Sequence, residues 1–301
     1  MQLLRTMAEL ATLNRPVNIA LGVFDGVHLG HQRVIAAARS SEAAAVVLTF
    51  DPHPMRVLHP EKAPLLLTST RHKLALLERG GADAVLLLPF TLELARMSPE
   101  KFLEQLAAPA HRVRQICIGA RFHFGHQRAG NVGLMQRLAE RLGFTVVEIP
   151  PVHTADGEMI SSSAIRSHIL HGRLDRAAAM LGRPFSLLGT VVVGDRRGRT
   201  LGFPTANLHV HNEVLPPDGV YTARVEHRPA VVNIGRRQTF PQATPGRHVE
   251  VHLLDFDGDL YGQDIEVSLL QKLRGERRFP SVEAFQQQVR ADIALARQLL
   301  G

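Results

Sequence analysis

The segment LGVFDGVHLGHQ, residues 21–32, sets two imidazoles three positions apart among three glycines, a phenylalanine and an aspartate. It follows the apolar run VNIA and leads into the alanine-rich RVIAAARS, so the histidines fall where a strand hands over to a helix. A packing role needs no glycines, and a metal site needs further ligands close by. A helix that starts after a parallel strand offers unpaired N–H groups to anions. Gly22, Gly26 and Gly30 let a phosphate come close to the backbone. His28 and His31 beside it can donate hydrogen bonds to charge building on an attacked phosphorus. A lone H-x-x-H reads as two surface histidines on a capped helix; the glycines, with Phe24 and Asp25, turn the reading toward phosphate chemistry.

Elements able to hold such a loop are legible on either side. Apolar runs at 17–24, 44–50, 84–89, 114–119 and 144–150 alternate with helical stretches at 71–80, 99–108 and 131–143. Asn131 is placed to cap the last of these and Gly143 to stop it. Strands that are apolar throughout and separated by helices imply a Rossmann-like α/β domain, a parallel sheet covered on both faces. After LDRAAAMLGRPF, residues 174–185, short strand-like runs separated by PPDG, TPG and FDGD favour a small antiparallel barrel or sandwich. A final helix follows, with Ser281 as its cap and Phe285, Val289, Ile293 and Leu300 near helical spacing. The domains expected are 1–184 and 185–301.

At 301 residues the chain has room for two cores. Its 35 Lys and Arg against 28 Asp and Glu leave a formal charge of +7, which suits polyanionic ligands and equally an ordinary basic surface. No RNA-binding signature, zinc-finger spacing or aromatic-basic cluster indicates nucleic acid, and no run is long enough for a membrane span. A lone cysteine, Cys117, and an N-terminus without an export signal point to the cytoplasm.

GVFDGVHLGH resembles the H-x-G-H signature of the nucleotidyltransferase superfamily. Together with FDPHP (50–54), LTSTRHKLALL (67–77), GARFHFGHQRAGN (119–131) and ISSSAIR (160–166), it resembles the N-terminal half of the bacterial bifunctional riboflavin kinase/FAD synthetase family. The resemblance implies that His28 and His31 stabilise the transition state at the α-phosphate of ATP while the phosphate of FMN attacks and pyrophosphate leaves. By the same resemblance Gly22, Phe24, Asp25 and Gly30 would shape that nucleotide site. Ser162 and Ser163 would bond phosphate oxygens and Arg166 the departing pyrophosphate. Hydroxyls opening a helix with an arginine one turn later make an anion site on their own, although a serine run also reads as plain capping. One position departs from the pattern: Arg121 stands where the family has aspartate or asparagine, adding charge that either strengthens phosphate binding or displaces a bond orienting FMN.

GTVVVGDRRGRTLGFPTANL (189–208) resembles the riboflavin kinase signature. Gly194, Gly198 and Gly202, around a basic turn with Arg199, can cradle phosphates through backbone N–H groups. It is not a Walker A loop, since no G-K-S/T follows. Thr205 and Asn207 supply neutral oxygens for magnesium or another divalent cation, with ATP phosphates completing the shell. From spacing alone, FPTAN is also simply a proline turn and strand start. The resemblance makes Glu250 the base that takes the ribityl hydroxyl proton of riboflavin, and Arg274, in LRGERRF, the flavin-side contact. On alternation, Glu250, His252 and Leu254 share a face opposite Val251 and Leu253, a pattern that a solvated strand face also gives. Arg237 and Gln238 replace the family's asparagine-proline before Thr239, which loosens a turn. The expectation is an enzyme making FMN and then FAD from riboflavin and ATP. Its rivals are a kinase with an impaired N-terminal half, a flavin-sensing module and an RNA-linked adenylating enzyme, the last opposed by the lack of a K-M-S-K-S loop; oligomeric state is left open.

Overall fold

Runs of Val, Ile, Leu and Ala without polar alternation can be satisfied only by burial on both faces of a sheet. The computed structural model describes residues 1–194, 202–235 and 247–301, so Gly198, Arg199, Arg237, Gln238 and Thr239 lie outside the described residues. Two units emerge, one of Met1–Leu65 with Thr70–Ser162, the other of Leu66–Ser69 with Ser163–Gly301.

The first unit is built on β1 (Gln2–Leu4), β2 (Val17–Leu21), β3 (Ala44–Asp51), β4 (Ala84–Pro89), β5 (Val113–Gly119) and β6 (Thr145–Ile149). All pair in parallel, in the order β1-β4-β3-β2-β5-β6. The helices are α1 (Leu29–Ala38), α2 (Pro54–Leu58), α3 (Thr70–Arg79), α4 (Leu92–Arg96), α5 (Pro99–Leu106) and α6 (Val132–Leu142). Alternate strand residues feed two cores. Ile19, Leu21, Val46, Leu48 and Ile116 pack with Phe102 and Leu103 of α5 and Met135 of α6. Ala20, Val47, Val85 and Cys117 pack with Val34 and Ile35 of α1 and Leu76 and Leu77 of α3. Asn131 and Gly143 bound α6 as expected, the amide oxygen accepting from Leu134 N at 3.0 Å and the glycine turning left-handed at φ 77°. Strand order reverses at β2, with β3 and β4 to one side and β5 and β6 to the other. The crevice for a ligand therefore lies beyond the carboxyl ends of β2 and β5.

Two details differ from expectation. β1, three residues long, is too short to show any alternation in the sequence. β2 stops at Leu21 rather than running to residue 24, because Phe24 takes a left-handed φ of 55°.

In the second unit, α7 (Ser162–Leu170, entering from the first unit) and α8 (Leu174–Leu181) precede a closed barrel. Its strands are β7 (Phe185–Val192), β8 (Ala206–Val210), β9 (Gly219–Val225), β10 (Arg228–Gly235), β11 (His248–Leu253) and β12 (Asp264–Arg274). They close in the order β10-β11-β8-β7-β12-β9, resolving the choice between barrel and sandwich. The last helix, α9 (Val282–Leu300), is capped by Ser281 and shares a cluster with the barrel through Ala296, Val220, Val231 and Leu254. Leu254 thus lies past the end of β11, in a turn, and does not share a strand face with Glu250. The strap Leu66–Ser69 belongs to this unit because Asn212 Nδ2 donates to Leu67 O at 2.5 Å and Leu66 N donates to Glu213 at 2.8 Å.

α9 is also tied by charge. Arg274 forks onto Asp292, with Nε to Oδ2 at 3.0 Å and Nη2 to Oδ2 at 2.8 Å, and Gln288 donates to Oδ1 at 2.7 Å. Asp292 is buried. Asp292→Ala leaves a largely enclosed guanidinium unpaired and should lower stability by roughly 3 kcal/mol in urea unfolding. A loss under about 1 kcal/mol would show that the pair is solvent-compensated.

Candidate active sites

The turn after β2 carries an unusual density of left-handed backbone. Phe24, Gly26 and Val27 have φ of 55°, 82° and 42°. For a β-branched valine this is strained, and such strain persists only where surrounding contacts dictate it. The turn delivers His28 to the N-cap of α1, where its Nδ1 accepts from His31 N at 3.3 Å. That bond fixes the tautomer: a neutral His28 carries its proton on Nε2 and donates through that atom. The two imidazoles stack with centroids 3.6 Å apart, and Phe24 meets His31 edge-on at 5.1 Å. A Cβ at Gly30 would come within 3.1 Å of the His28 ring, so a side chain there would press on the stack. A Cβ at Gly22 would likewise press on the Phe24 ring at 3.1 Å.

Burial holds the His31 imidazolium well below the ordinary histidine value of 6.5, and the charges of His28 and Lys73 push the same way. His31 is therefore neutral at physiological pH. Asp25 is buried in the turn, and its carbonyl accepts from Ser162 Oγ at 2.9 Å, so ISSSAIR begins against the histidine loop. Ser163 and Arg166 stand in the first turns of α7, the serine exposed and the arginine half-buried. Arg121, just beyond β5, is exposed and donates to Met159 Sδ at 3.0 Å.

On the barrel, register does the assembling. Glu250 of β11 lies opposite Asn207 of β8 on one side and Asn233 of β10 on the other. Directly opposed residues of antiparallel strands share a face. The neighbours Val249 and Val251 are buried, so the Asn207–Glu250–Asn233 row lies on the outer face of the wall. Asn233 has no signal in the sequence, since only strand register reveals it. Gly194 packs against the Asn207 carboxamide so closely that a Cβ would overlap it. Gly202 takes φ 85° in the approach to β8, and His252 Nδ1 donates to Pro204 O at 2.7 Å, fixing the segment that leads to Thr205. Arg274, expected to face the flavin, has its fork on Asp292, while Nη1 donates to Gly275 O at 3.1 Å. Among the described residues, no group of three or more His, Cys, Asp or Glu could hold a metal ion.

A parallel α/β unit with a phosphate-type loop at its switch point, joined to a closed barrel with a polar row on its wall, defines a two-part class of phosphate-handling protein. The FAD synthetase family model matches residues 10–164 and the riboflavin kinase family model residues 181–300. The bifunctional riboflavin kinase/FMN adenylyltransferase of Escherichia coli (strain K12) is 36% identical, over 94% of this chain and 92% of its own. That of Pseudomonas fluorescens is 38% identical, over 99% and 98%. A crystal structure described as a macrolide-efflux protein from Streptococcus pneumoniae matches with a TM-score of 0.83 at 29% identity, covering 99% of each chain. Among the described residues no helix is long and apolar enough to cross a membrane. The chain belongs to the bifunctional riboflavin kinase/FMN adenylyltransferase family.

The depressed His31 value has a stability consequence. Below about pH 6.5 the unfolded chain binds a proton that the folded imidazole refuses, so stability falls as pH drops through that range. Thermal unfolding of the wild type should therefore fall more steeply from pH 7 to 5 than that of His31→Asn. Parallel slopes would contradict the buried, neutral imidazole.

Proposed function

We propose that this chain converts riboflavin to FMN and FMN to FAD, each step using ATP, with 1–184 carrying the adenylyl transfer and 185–301 the kinase. Both family models match in order along the chain, and the observation that carries the reading is that each half holds its reactive side chains in a formed arrangement. In the first, His28 and His31 stack at the N-terminus of α1, with His31 held neutral. There they donate hydrogen bonds to the α-phosphate as the FMN phosphate attacks and pyrophosphate departs, alongside the N–H groups of the first helical turn. Gly22, Phe24, Asp25 and Gly30 shape the loop. The motif assigns Ser163 and Arg166 to anionic oxygens of the nucleotide, and the exposed Arg121 adds positive charge to the first unit.

In the second half, Glu250 takes the proton from the ribityl hydroxyl as it attacks the γ-phosphate. Asn207 and Asn233 flank the carboxylate on the same face. Asn207 offers a hard, neutral oxygen opposite that carboxylate, Thr205 two residues earlier offers a second, and Gly194 leaves room for the Asn207 carboxamide, a donor set that fits magnesium. A divalent cation held by these oxygens would supply charge neutralisation at the ATP phosphates. Gly194 and Gly202 let the backbone approach those phosphates, with Gly198 and Arg199 assigned the same task by the motif. Arg274 shapes the loop after β12 through its fork on Asp292. Small-molecule substrates, a cytoplasmic location and no nucleic-acid partner complete the reading, supported by the single cysteine and the lack of a nucleic-acid motif.

The test incubates the protein with riboflavin, ATP and magnesium and resolves the flavins by chromatography. Both FMN and FAD should appear; FMN alone would favour a kinase with an idle N-terminal half, and neither a sensor. Glu250→Ala and Asn207→Ala should abolish FMN formation while FAD formation from added FMN continues. His28→Ala and His31→Ala should do the reverse. Gly194→Ala, which displaces the Asn207 carboxamide, should slow the kinase at least tenfold and leave adenylyl transfer within twofold; unchanged phosphorylation would remove Asn207 from the site.

A further inference from the structure

α3 buries a lysine. Lys73 stands on the inward face with Leu76 and Leu77 and is only 7% exposed, an expensive position for an ammonium unless every proton is bonded. All three are accounted for. Nζ donates to Phe50 O at 3.2 Å, Thr49 Oγ1 at 3.3 Å and Val23 O at 3.4 Å. Thr49 Oγ1 in turn donates to the same Val23 carbonyl at 2.9 Å. Val23 immediately precedes the left-handed residues that carry His28, while Thr49 and Phe50 end β3, the strand beside β2. One side chain thus ties the start of the strained turn to the neighbouring strand of the sheet.

We propose that Lys73 is a positioning residue for adenylyl transfer: its ammonium anchors the Val23 carbonyl, holds the histidine turn in register with β3, and sets a fixed positive charge behind the imidazoles. The inference rests on the reading of that turn as the adenylyl-transfer site. A helix face that needed only bulk would take a leucine here, and a lysine with no further role would reach for solvent. The charge acts on the histidines as well. His31 is faced by His28, stacked on it, and by Lys73 of α3; Lys73 is faced by Asp25 of the turn and Asp51 of β3. Burial pulls the lysine down from its ordinary value while the two aspartates pull it back up, and as a cation it opposes protonation of His31.

The full-length protein carrying Lys73→Met separates this role from packing. With FMN supplied, kcat/KM for FAD formation should fall about 100-fold, mostly in kcat, while riboflavin phosphorylation in the same preparation stays within twofold. The acid limb of the adenylylation pH profile should move upward, because one of the two charges that add to burial in opposing protonation of His31 is gone. FAD formation within threefold of wild type would overturn the proposal, as would a loss of activity with the limb unmoved. If Lys73→Met does not fold, Thr49→Val decides the matter, since it removes one Lys73 acceptor and one bond to Val23 while keeping shape. A fall of about tenfold in FAD formation supports the anchor, and an unchanged rate sinks it. His31→Ala run alongside distinguishes the two levels. If it retains full FAD formation, the site reading fails and the proposal with it; if it is inactive while Lys73→Met is normal, only the proposal fails.

Discussion

The carbonyl oxygen of Val23 receives two side-chain hydrogen bonds, from Thr49 and Lys73, and the N-terminal site depends on it. A parallel strand ordinarily runs out into whatever loop its length allows. Here β2 must stop at Leu21, turn through left-handed Phe24, Gly26 and Val27, and present His28 as a helix cap within seven residues of the last strand position. Each non-glycine residue in that region costs on the order of 1 kcal/mol or more. The turn therefore needs an anchor at its root and a lock at its end. Val23 provides the first, and the His28–His31 cap bond with Ser162 on the Asp25 carbonyl provides the second.

The barrel solves a different problem by a different means. The kinase reading asks for a base and neutral oxygens in one place, and the barrel brings a carboxylate and two carboxamides together by register rather than by a strained turn. Asn207, Glu250 and Asn233 come from strands far apart in sequence and meet because β8, β11 and β10 are neighbours with those residues opposed. α9 covers part of the same outer wall through Val220, Val231 and Leu254, and the Arg274–Asp292 fork keeps it in place.

Much of this is readable from sequence where the physical signal is local. Continuous apolar runs at 44–50 and 84–89 announce buried parallel strands, and Asn131 with Gly143 brackets α6, because periodicity and capping are properties of short segments. The H-x-G-H loop is visible because two histidines three apart among glycines, between an apolar run and an alanine-rich one, form a local pattern. What escapes has non-local causes. Lys73 in RHKLALLER looks like any solvated helix lysine, and only the approach of β2 and β3 makes it an interior cation. Asn233 joins Glu250 only through strand register, and Arg274 is drawn to Asp292 across 18 residues by the packing of α9. The strap Leu66–Ser69, flanked on both sides by the first unit, belongs to the second because of hydrogen bonds from residues 145 or more positions away.

Two pockets on one polypeptide, each directing a flavin oxygen to a different phosphorus of ATP, is the claim on which the functional account stands. Isotope tracing addresses it directly: riboflavin is turned over with ATP labelled either at the γ- or at the α-phosphorus, and the flavins are separated. The γ label should enter FMN and pass with it into FAD, whereas the α label should appear in FAD and never in FMN. Flavins free of both labels, or FAD lacking the α label while FMN carries the γ label, would contradict the account.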